Sequence, residues 1–236
     1  MTGIDAVVLD VGGVLLLPDP RPIAEALRAE GIGHRPAALA DAHYGAVAWL
    51  DQHRDGEPGP EVGGVPARYL DGFARAAGVG DGDLAAATTV LAPVFARPST
   101  ELWTQEAAGA RAGLALLGEL GLPVAMVSNA DGTVEAQLER HGLAQVGPGP
   151  GLEVAAIVDS SVYGVAKPDP RVFGPALDAV GVAASRCAHV GDTVVFDVAG
   201  AHAAGLRAIH LDPLGWCDGA DHDHAVDLPA AVTAVD

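Results

Sequence analysis

The sequence predicts an α/β fold, a doubly wound parallel sheet with a helical module inserted near its start. Three observations carry this. Short apolar runs recur at 6–9, 123–127, 154–158, 187–190 and 206–211, rich in Val and Ile and closing on Gly, Asp, Ser or Asn, as strands covered on both faces do. Amphipathic stretches at 132–141, 171–180 and 197–204 separate the later runs, which is the strand–helix–strand rhythm of a Rossmann-like core. The interval 18–98 breaks that rhythm with four helix-like stretches, 21–30, 36–53, 65–78 and 83–95, and no convincing strand. The expected organisation is therefore a core of residues 1–17 and 99–236 and a helical insertion of residues 18–98, with a Gly-, Pro- and acid-rich loop at 54–64 inside the insertion.

At 236 residues the chain suits one filled core plus a smaller module. A formal net charge of -18 argues against nucleic acid or an anionic membrane as partner, because binding to either needs clustered Lys and Arg. A phosphate site in such a chain must gather its own positive charge, and Lys167 is the only lysine. Cys187 and Cys217 read as reduced thiols, and with no secretory segment or long apolar run the expected location is cytoplasmic. Oligomeric state leaves no mark in the sequence.

Ligands of open α/β sheets bind beyond the carboxyl ends of the strands, so those ends hold the candidate residues. After the first strand, Asp10 meets a turn containing Gly12 and Gly13; a carboxylate there suits nucleophilic attack or a cation, and glycines let amides approach an anion. Ser128 and Asn129 follow the second strand and offer a hydroxyl and amides to phosphate, or a cap to the next helix. Lys167, stiffened by Pro168, supplies an ammonium that neutralises phosphate. Asp192 ends the strand at 187–190, and Asp197 follows five residues on. Together with Asp10 they make an oxygen-rich site suited to Mg²⁺, although Asp197 alone could be a helix cap.

These four elements, Asp10-Val-Gly-Gly-Val-Leu, Ser128-Asn129, Lys167-Pro168-Asp169-Pro and Gly191-Asp192-Thr-Val-Val-Phe-Asp197, resemble the ordered motifs of the haloacid dehalogenase-like hydrolases, and the insertion resembles their type-1 cap. The resemblance implies an Mg²⁺-dependent phosphatase acting on a small phosphorylated metabolite, with a sugar phosphate as first candidate. Asp10 would attack phosphorus to form an aspartyl-phosphate, Ser128 would bind the phosphoryl group, and Lys167 would stabilise its charge. Gly12, Gly13 and Asn129 would complete the phosphate cradle. Asp10, the Gly12 carbonyl and Asp192 would hold Mg²⁺, with Asp197 supporting the metal site.

One position departs from the pattern. Phosphatases of the family commonly carry a second aspartate two residues after the nucleophile, and here that residue is Gly12. Losing a general acid or base costs on the order of 10²- to 10⁴-fold, so the alternative reading is a weak or inactive member with a regulatory or partner-binding role. His43, His53 and Tyr44 are the cap groups considered as replacements, against the plainer reading that they pack. Phosphonoacetaldehyde hydrolase chemistry is excluded because it needs a cap lysine. Finally, Asp221-His222-Asp223-His224 has a metal-like composition, but alternating residues in a C-terminal loop ordinarily form a solvated acidic segment, and that is the expectation.

Overall fold

The computed structural model describes residues 3–53, 61–62 and 65–235. The chain divides into two compact units, Met1–Leu16 with Glu106–Asp236, and Leu17–Gln105. The first is built on a six-stranded sheet of β1 (Ala6–Leu9), β2 (Val124–Ser128), β3 (Ala156–Asp159), β4 (Cys187–Gly191), β5 (Arg207–Leu211) and β6 (Asp223–Ala225). Their order is β6-β5-β4-β1-β2-β3, and every recorded neighbour is parallel. From β1 the chain winds outward through β2 and β3, then returns to the other flank and winds outward through β4, β5 and β6. The sheet is thus doubly wound, with its reversal at β1.

All four residues of β1 are buried, and so are all five of β2 and of β4, which is what a parallel strand covered on both faces requires. Val8, Val127, Phe173, Ala176 and Ala208 share one apolar cluster with their neighbours. The flanking helices Ala110–Leu120, Val134–His141, Gly174–Val180 and Ala199–Ala204 each end on a left-handed glycine, at 121, 142, 181 and 205. That conformation satisfies the last carbonyls and turns the chain toward its next element.

Five strands fall within two residues of their expected ends. The sixth, β6, lies in the stretch expected to be loop. It is a polar edge strand, two of its three residues are exposed, and no apolar run announces it. Helix Ala110–Leu120 also escaped the pattern, because Gly113 dilutes its apolar face while Leu116 and Leu120 lie exposed off it. The expected helix at 171–180 divides into a 3₁₀ turn Pro170–Phe173 and a helix from Gly174, where Gly174-Pro175 interrupts it.

The second unit is helical: Pro20–Ala29, Ala42–Gln52, Ala67–Ala76 and Leu84–Phe95 surround a core that includes Leu27, Leu70, Phe73, Leu91 and Phe95. Asp19 caps the first helix by accepting the Arg21 amide at 2.9 Å. The expectation of no strand at 18–98 is corrected by one short ladder inside that interval, at 61–66, and a second ladder flanks it. Leu16–Pro18 pairs with Trp103–Glu106, and Glu61–Val62 pairs antiparallel with Val65–Pro66. Both are too short to register as a periodic pattern. The rest of the loop expected at 54–64 lies outside the described residues. Among the described residues no helix is long and apolar enough to cross a membrane.

Packing of the last helix in the first unit depends on a small residue at 113. A Cβ on Gly113 would strike the Cβ and Cγ of Leu228 on the last helix, whereas one on exposed Gly118, a turn later, would make ordinary contact with Leu152 at 3.5 Å. Gly113→Ala is therefore expected to cost about 1–3 kcal/mol through overpacking. Gly118→Ala should gain roughly 0.5–1 kcal/mol from helix propensity. Urea midpoints of the two variants check the opposite signs.

Candidate active site

Parallel register brings the candidate residues to one edge. Leu9 is paired with Met126 on one side and with Val190 on the other, so Asp10 lies level with the ends of β2 and β4. Its amide donates to the Val190 carbonyl at 2.9 Å, which carries the ladder one residue past β1 and fixes the direction of the Asp10 backbone. Ser128 ends β2 and is buried. Asp192 follows β4 directly. The carboxylates of Asp10, Asp192 and Asp197 are all buried, with one oxygen of each within 4.8 Å of the others.

Lys167 enters this cluster from the loop after β3. Its Nζ donates to Asp197 Oδ1 at 2.6 Å and lies 2.8 Å from Asp10 Oδ1. The second contact is an ion pair without hydrogen-bond geometry, so Asp10 Oδ1 is buried with no hydrogen-bond partner. Lys167 is only 4% exposed, which makes its ammonium a structural charge as much as a chemical one.

Asp197 is the most heavily engaged of the carboxylates. Its Oδ1 accepts from Lys167 and from His189 Nε2 at 2.9 Å, and its Oδ2 accepts from the Thr193 amide at 3.1 Å and hydroxyl at 2.6 Å. A π-helical turn over Val194–Val198 follows from Thr193 and folds Asp197 back toward β4. Gly191 is what permits this, since any Cβ there would collide with the Asp197 carboxyl. The sequence reading gave Asp197 a place in the metal site. Its carboxylate lies in the cluster with Asp10 and Asp192, and its oxygens also accept hydrogen bonds from Lys167, His189 and Thr193.

Two other candidates are also engaged. The Asn129 side chain donates to the Lys167 carbonyl at 3.0 Å and accepts the Lys167 amide at 2.8 Å, so it clamps the lysine loop with one of its two N–H donors. The Gly13 amide donates to the Leu16 carbonyl at 2.9 Å, with Gly13 at φ 73°. His43 is buried in the helical unit with its Nδ1 2.8 Å from the Tyr69 hydroxyl, consistent with the packing reading. His189 and Thr193 were missed as supports. The one available signal was a histidine inside an otherwise apolar strand, two residues before a glycine.

Electrostatics follow from burial. Desolvation raises the Asp10 pKa most, Asp197 and Asp192 add to it, and Lys167 only partly opposes, so the carboxyl is pushed up to about 7. Burial would also raise Asp197, but Lys167 and His189 outweigh it and hold that carboxyl well below the usual range. Burial disfavours the Lys167 ammonium, yet Asp10 and Asp197 more than compensate and keep it charged. Three carboxylates against one ammonium leave two negative charges unbalanced when all ionise. With the orphaned Asp10 oxygen, that deficit fits a divalent cation with oxygen ligands.

A family model for haloacid dehalogenase-like hydrolases matches residues 4–205. The phosphoserine phosphatase of Thermus thermophilus is 40% identical over 195 residues, covering 78% of this chain and 67% of that protein. The ribulose-1,5-bisphosphate 5-phosphatase of Halopiger xanaduensis is 30% identical over 128 residues, half of this chain and 51% of that protein. Among solved structures, the HAD-hydrolase YfnB of Bacillus subtilis, described as bound to magnesium, superimposes with a TM-score of 0.61 at 17% identity over 99% of each chain. That likeness establishes the fold.

Breaking a buried ion pair strands a charge and typically costs about 3–5 kcal/mol. Asp197→Asn is expected to destabilise by that order at pH 7.5. Asp197→Asn/Lys167→Met should cost less than the sum of the two single variants, because the stranded ammonium is gone. Denaturant unfolding of all three proteins measures the coupling, and strict additivity would show that the pair is energetically independent.

Proposed function

The chain belongs to the haloacid dehalogenase-like hydrolases, and from that premise we propose that it is a Mg²⁺-dependent phosphatase using Asp10 as nucleophile toward a small phosphate ester. The observation that carries this reading is the buried Asp10 Oδ1, which has no hydrogen-bond partner yet lies beside the Lys167 ammonium at the reversal of the sheet.

In this reading one Asp10 oxygen attacks phosphorus, the P–O bond to the substrate alcohol breaks, and the alkoxide leaves with a proton from solvent. Water then cleaves the aspartyl-phosphate to regenerate the carboxylate. Lys167 offsets the charge spreading over the phosphoryl oxygens, and the Ser128 hydroxyl donates to one of them. Asn129 and Asp197 do not touch substrate; they fix the lysine at its backbone and at its ammonium. Mg²⁺ held by Asp10, Asp192 and the Gly12 carbonyl would neutralise the carboxylates and polarise the phosphoryl oxygens when bound. Asp197 supports that site indirectly, through Lys167.

Both named relatives take small polar phosphate esters, phosphoserine and a ribulose bisphosphate, and a small phosphorylated metabolite of that kind, with sugar phosphates first, is the proposed substrate. Gly12 places no carboxyl where the leaving group would be protonated, which favours good leaving groups such as a sugar 1-phosphate. The net charge of -18 supports the exclusion of nucleic acid and anionic lipid as partners, and a cytoplasmic location completes the reading.

Phosphate release from a panel of sugar phosphates, phosphoserine and an activated aryl phosphate is expected to need Mg²⁺ and to fall by at least ~10³-fold in Asp10→Asn. No release from folded, Mg²⁺-binding protein would overturn the reading in favour of a non-catalytic role. Gly12→Asp should raise turnover of alkyl phosphates by more than about tenfold and barely change the aryl phosphate, since only the former needs leaving-group protonation.

A proton and the cation compete for Asp10. Its metal-free pKa is raised, so it is protonated below about pH 7 and ionised above it. The Mg²⁺ concentration for half-maximal activity is therefore expected to rise up to about tenfold per pH unit below 7 and to level off above. Mg²⁺ titrations at pH 6, 7 and 8 check this.

A further inference from the structure

The stretch expected to be a solvated acidic segment folds into something else. His210 at the end of β5, Cys217 in the following loop, and His222 and His224 at β6 bring one ligand atom each to within 4.8 Å of one another. The three imidazoles pack together, with ring centroids 5.3 Å apart for His210 and His222, 5.7 Å for His210 and His224, and 4.7 Å for His222 and His224. None of the four belongs to the carboxylate cluster.

Each ring is oriented by an oxygen that can only accept. His210 Nε2 is 3.0 Å from the Asp192 carbonyl, His224 Nε2 is 2.8 Å from the Gly219 carbonyl, and His222 Nδ1 is 2.7 Å from Asp221 Oδ1. Those nitrogens must carry the hydrogens. In the neutral rings the other nitrogen then presents a lone pair: Nδ1 of His210, Nδ1 of His224 and Nε2 of His222. This arrangement, an outer oxygen on the far side of each imidazole, is the one that metal-ligating histidines adopt.

Two observations point to a missing ligand. His210 is 5% exposed and its Nδ1 has no hydrogen-bond partner, an arrangement that leaves a buried acceptor unsatisfied. His222 Nε2 lies 3.5 Å from Cys217 Sγ. Tetrahedral zinc with Zn–N near 2.0 Å and Zn–S near 2.3 Å separates those atoms by about 3.5 Å. The loop is also shaped for the cluster. Asp212 accepts the Trp216 amide at 3.2 Å and the Cys217 amide at 2.9 Å, and a Cβ at Gly219 would collide with the His222 ring.

We propose that His210, Cys217, His222 and His224 form a structural zinc site with one thiolate and three imidazole ligands. Four protein ligands close the coordination sphere, so the site serves stability and not hydrolysis. Nitrogen and sulfur donors select a borderline cation such as Zn²⁺ and disfavour Mg²⁺. Through His210 the site also holds the Asp192 carbonyl, and so braces the loop that carries a carboxylate of the candidate active site.

The test uses the full chain without a histidine tag, stripped with chelator and titrated with Co²⁺. One equivalent is expected to give the strong visible absorption of tetrahedral cobalt and a thiolate-to-cobalt band in the near ultraviolet, both abolished by one equivalent of Zn²⁺. Cys217→Ser should lose the thiolate band, Asp10→Asn should keep it, and Asp221→Asn should weaken zinc binding by about 10–100-fold. Zn²⁺ should also raise the unfolding temperature of the wild-type chain relative to the stripped protein, a readout independent of whether Cys217→Ser folds. Absence of the tetrahedral spectrum in wild-type protein, or a thiolate band that survives Cys217→Ser, overturns the proposal.

Discussion

The constraint on which the candidate site of this molecule depends is the burial of a single ammonium. Lys167 is withdrawn from water between Asp10 and Asp197, and a charge in that position must be paired on every side or expelled. Asn129 holds its backbone, Asp197 holds its ammonium, and His189 and Thr193 hold Asp197. Gly191 is bare so that the Asp197 carboxyl fits against β4. The outer residues are thus shape and hydrogen-bond consequences of placing one positive charge beside the Asp10 carboxylate. They also explain why the charge stays put: an ammonium bonded to a carboxylate with no spare lone pair has no alternative position of equal energy.

The sheet supplies the other half of the positioning. Parallel pairing in register makes the carboxyl ends of neighbouring strands coincide, so Asp10, Ser128 and Asp192 arrive at one edge without any loop having to place them. The reversal of winding at β1 keeps the crossover connections of its two flanks from covering that edge. Asp10 inherits a low-dielectric setting from the apolar β1, and this is why its carboxyl resists ionisation while Asp197, better hydrogen-bonded, does not. Two carboxylates of one buried cluster are driven apart in acidity by their partners, and the less acidic one is left with an open lone pair.

Much of this was legible in the sequence, for identifiable reasons. Buried parallel strands must be apolar over their whole length, so β1, β2, β4 and β5 stand out, and the left-handed glycines after the helices punctuate them. Asp10, Ser128, Lys167 and Asp192 were legible because each follows such a strand or stands alone in composition. What remained hidden was direction. Sequence cannot tell that Asn129 turns to the lysine loop, that the Gly13 amide is spent on Leu16, or that the Asp197 oxygens are saturated, since each depends on a partner 3 to 38 residues away. β6 was hidden because an exposed edge strand need not be apolar. Its histidines look like a solvated tail until β5 brings His210 beside them.

That last juxtaposition separates two cation chemistries on adjacent strand ends. The edge around β1 offers hard carboxylate oxygens, and the edge around β5 and β6 offers nitrogen and sulfur. A borderline cation that strayed into the carboxylate site would meet a better set of ligands a short distance away, and Mg²⁺ would find nothing at the second site to replace its waters. The His210 ring joins the two through the Asp192 carbonyl. Its Nε2–H fixes the backbone of a carboxylate aimed at one cation, and the same bond fixes which nitrogen it turns toward the other. One imidazole therefore sets the geometry on both sides.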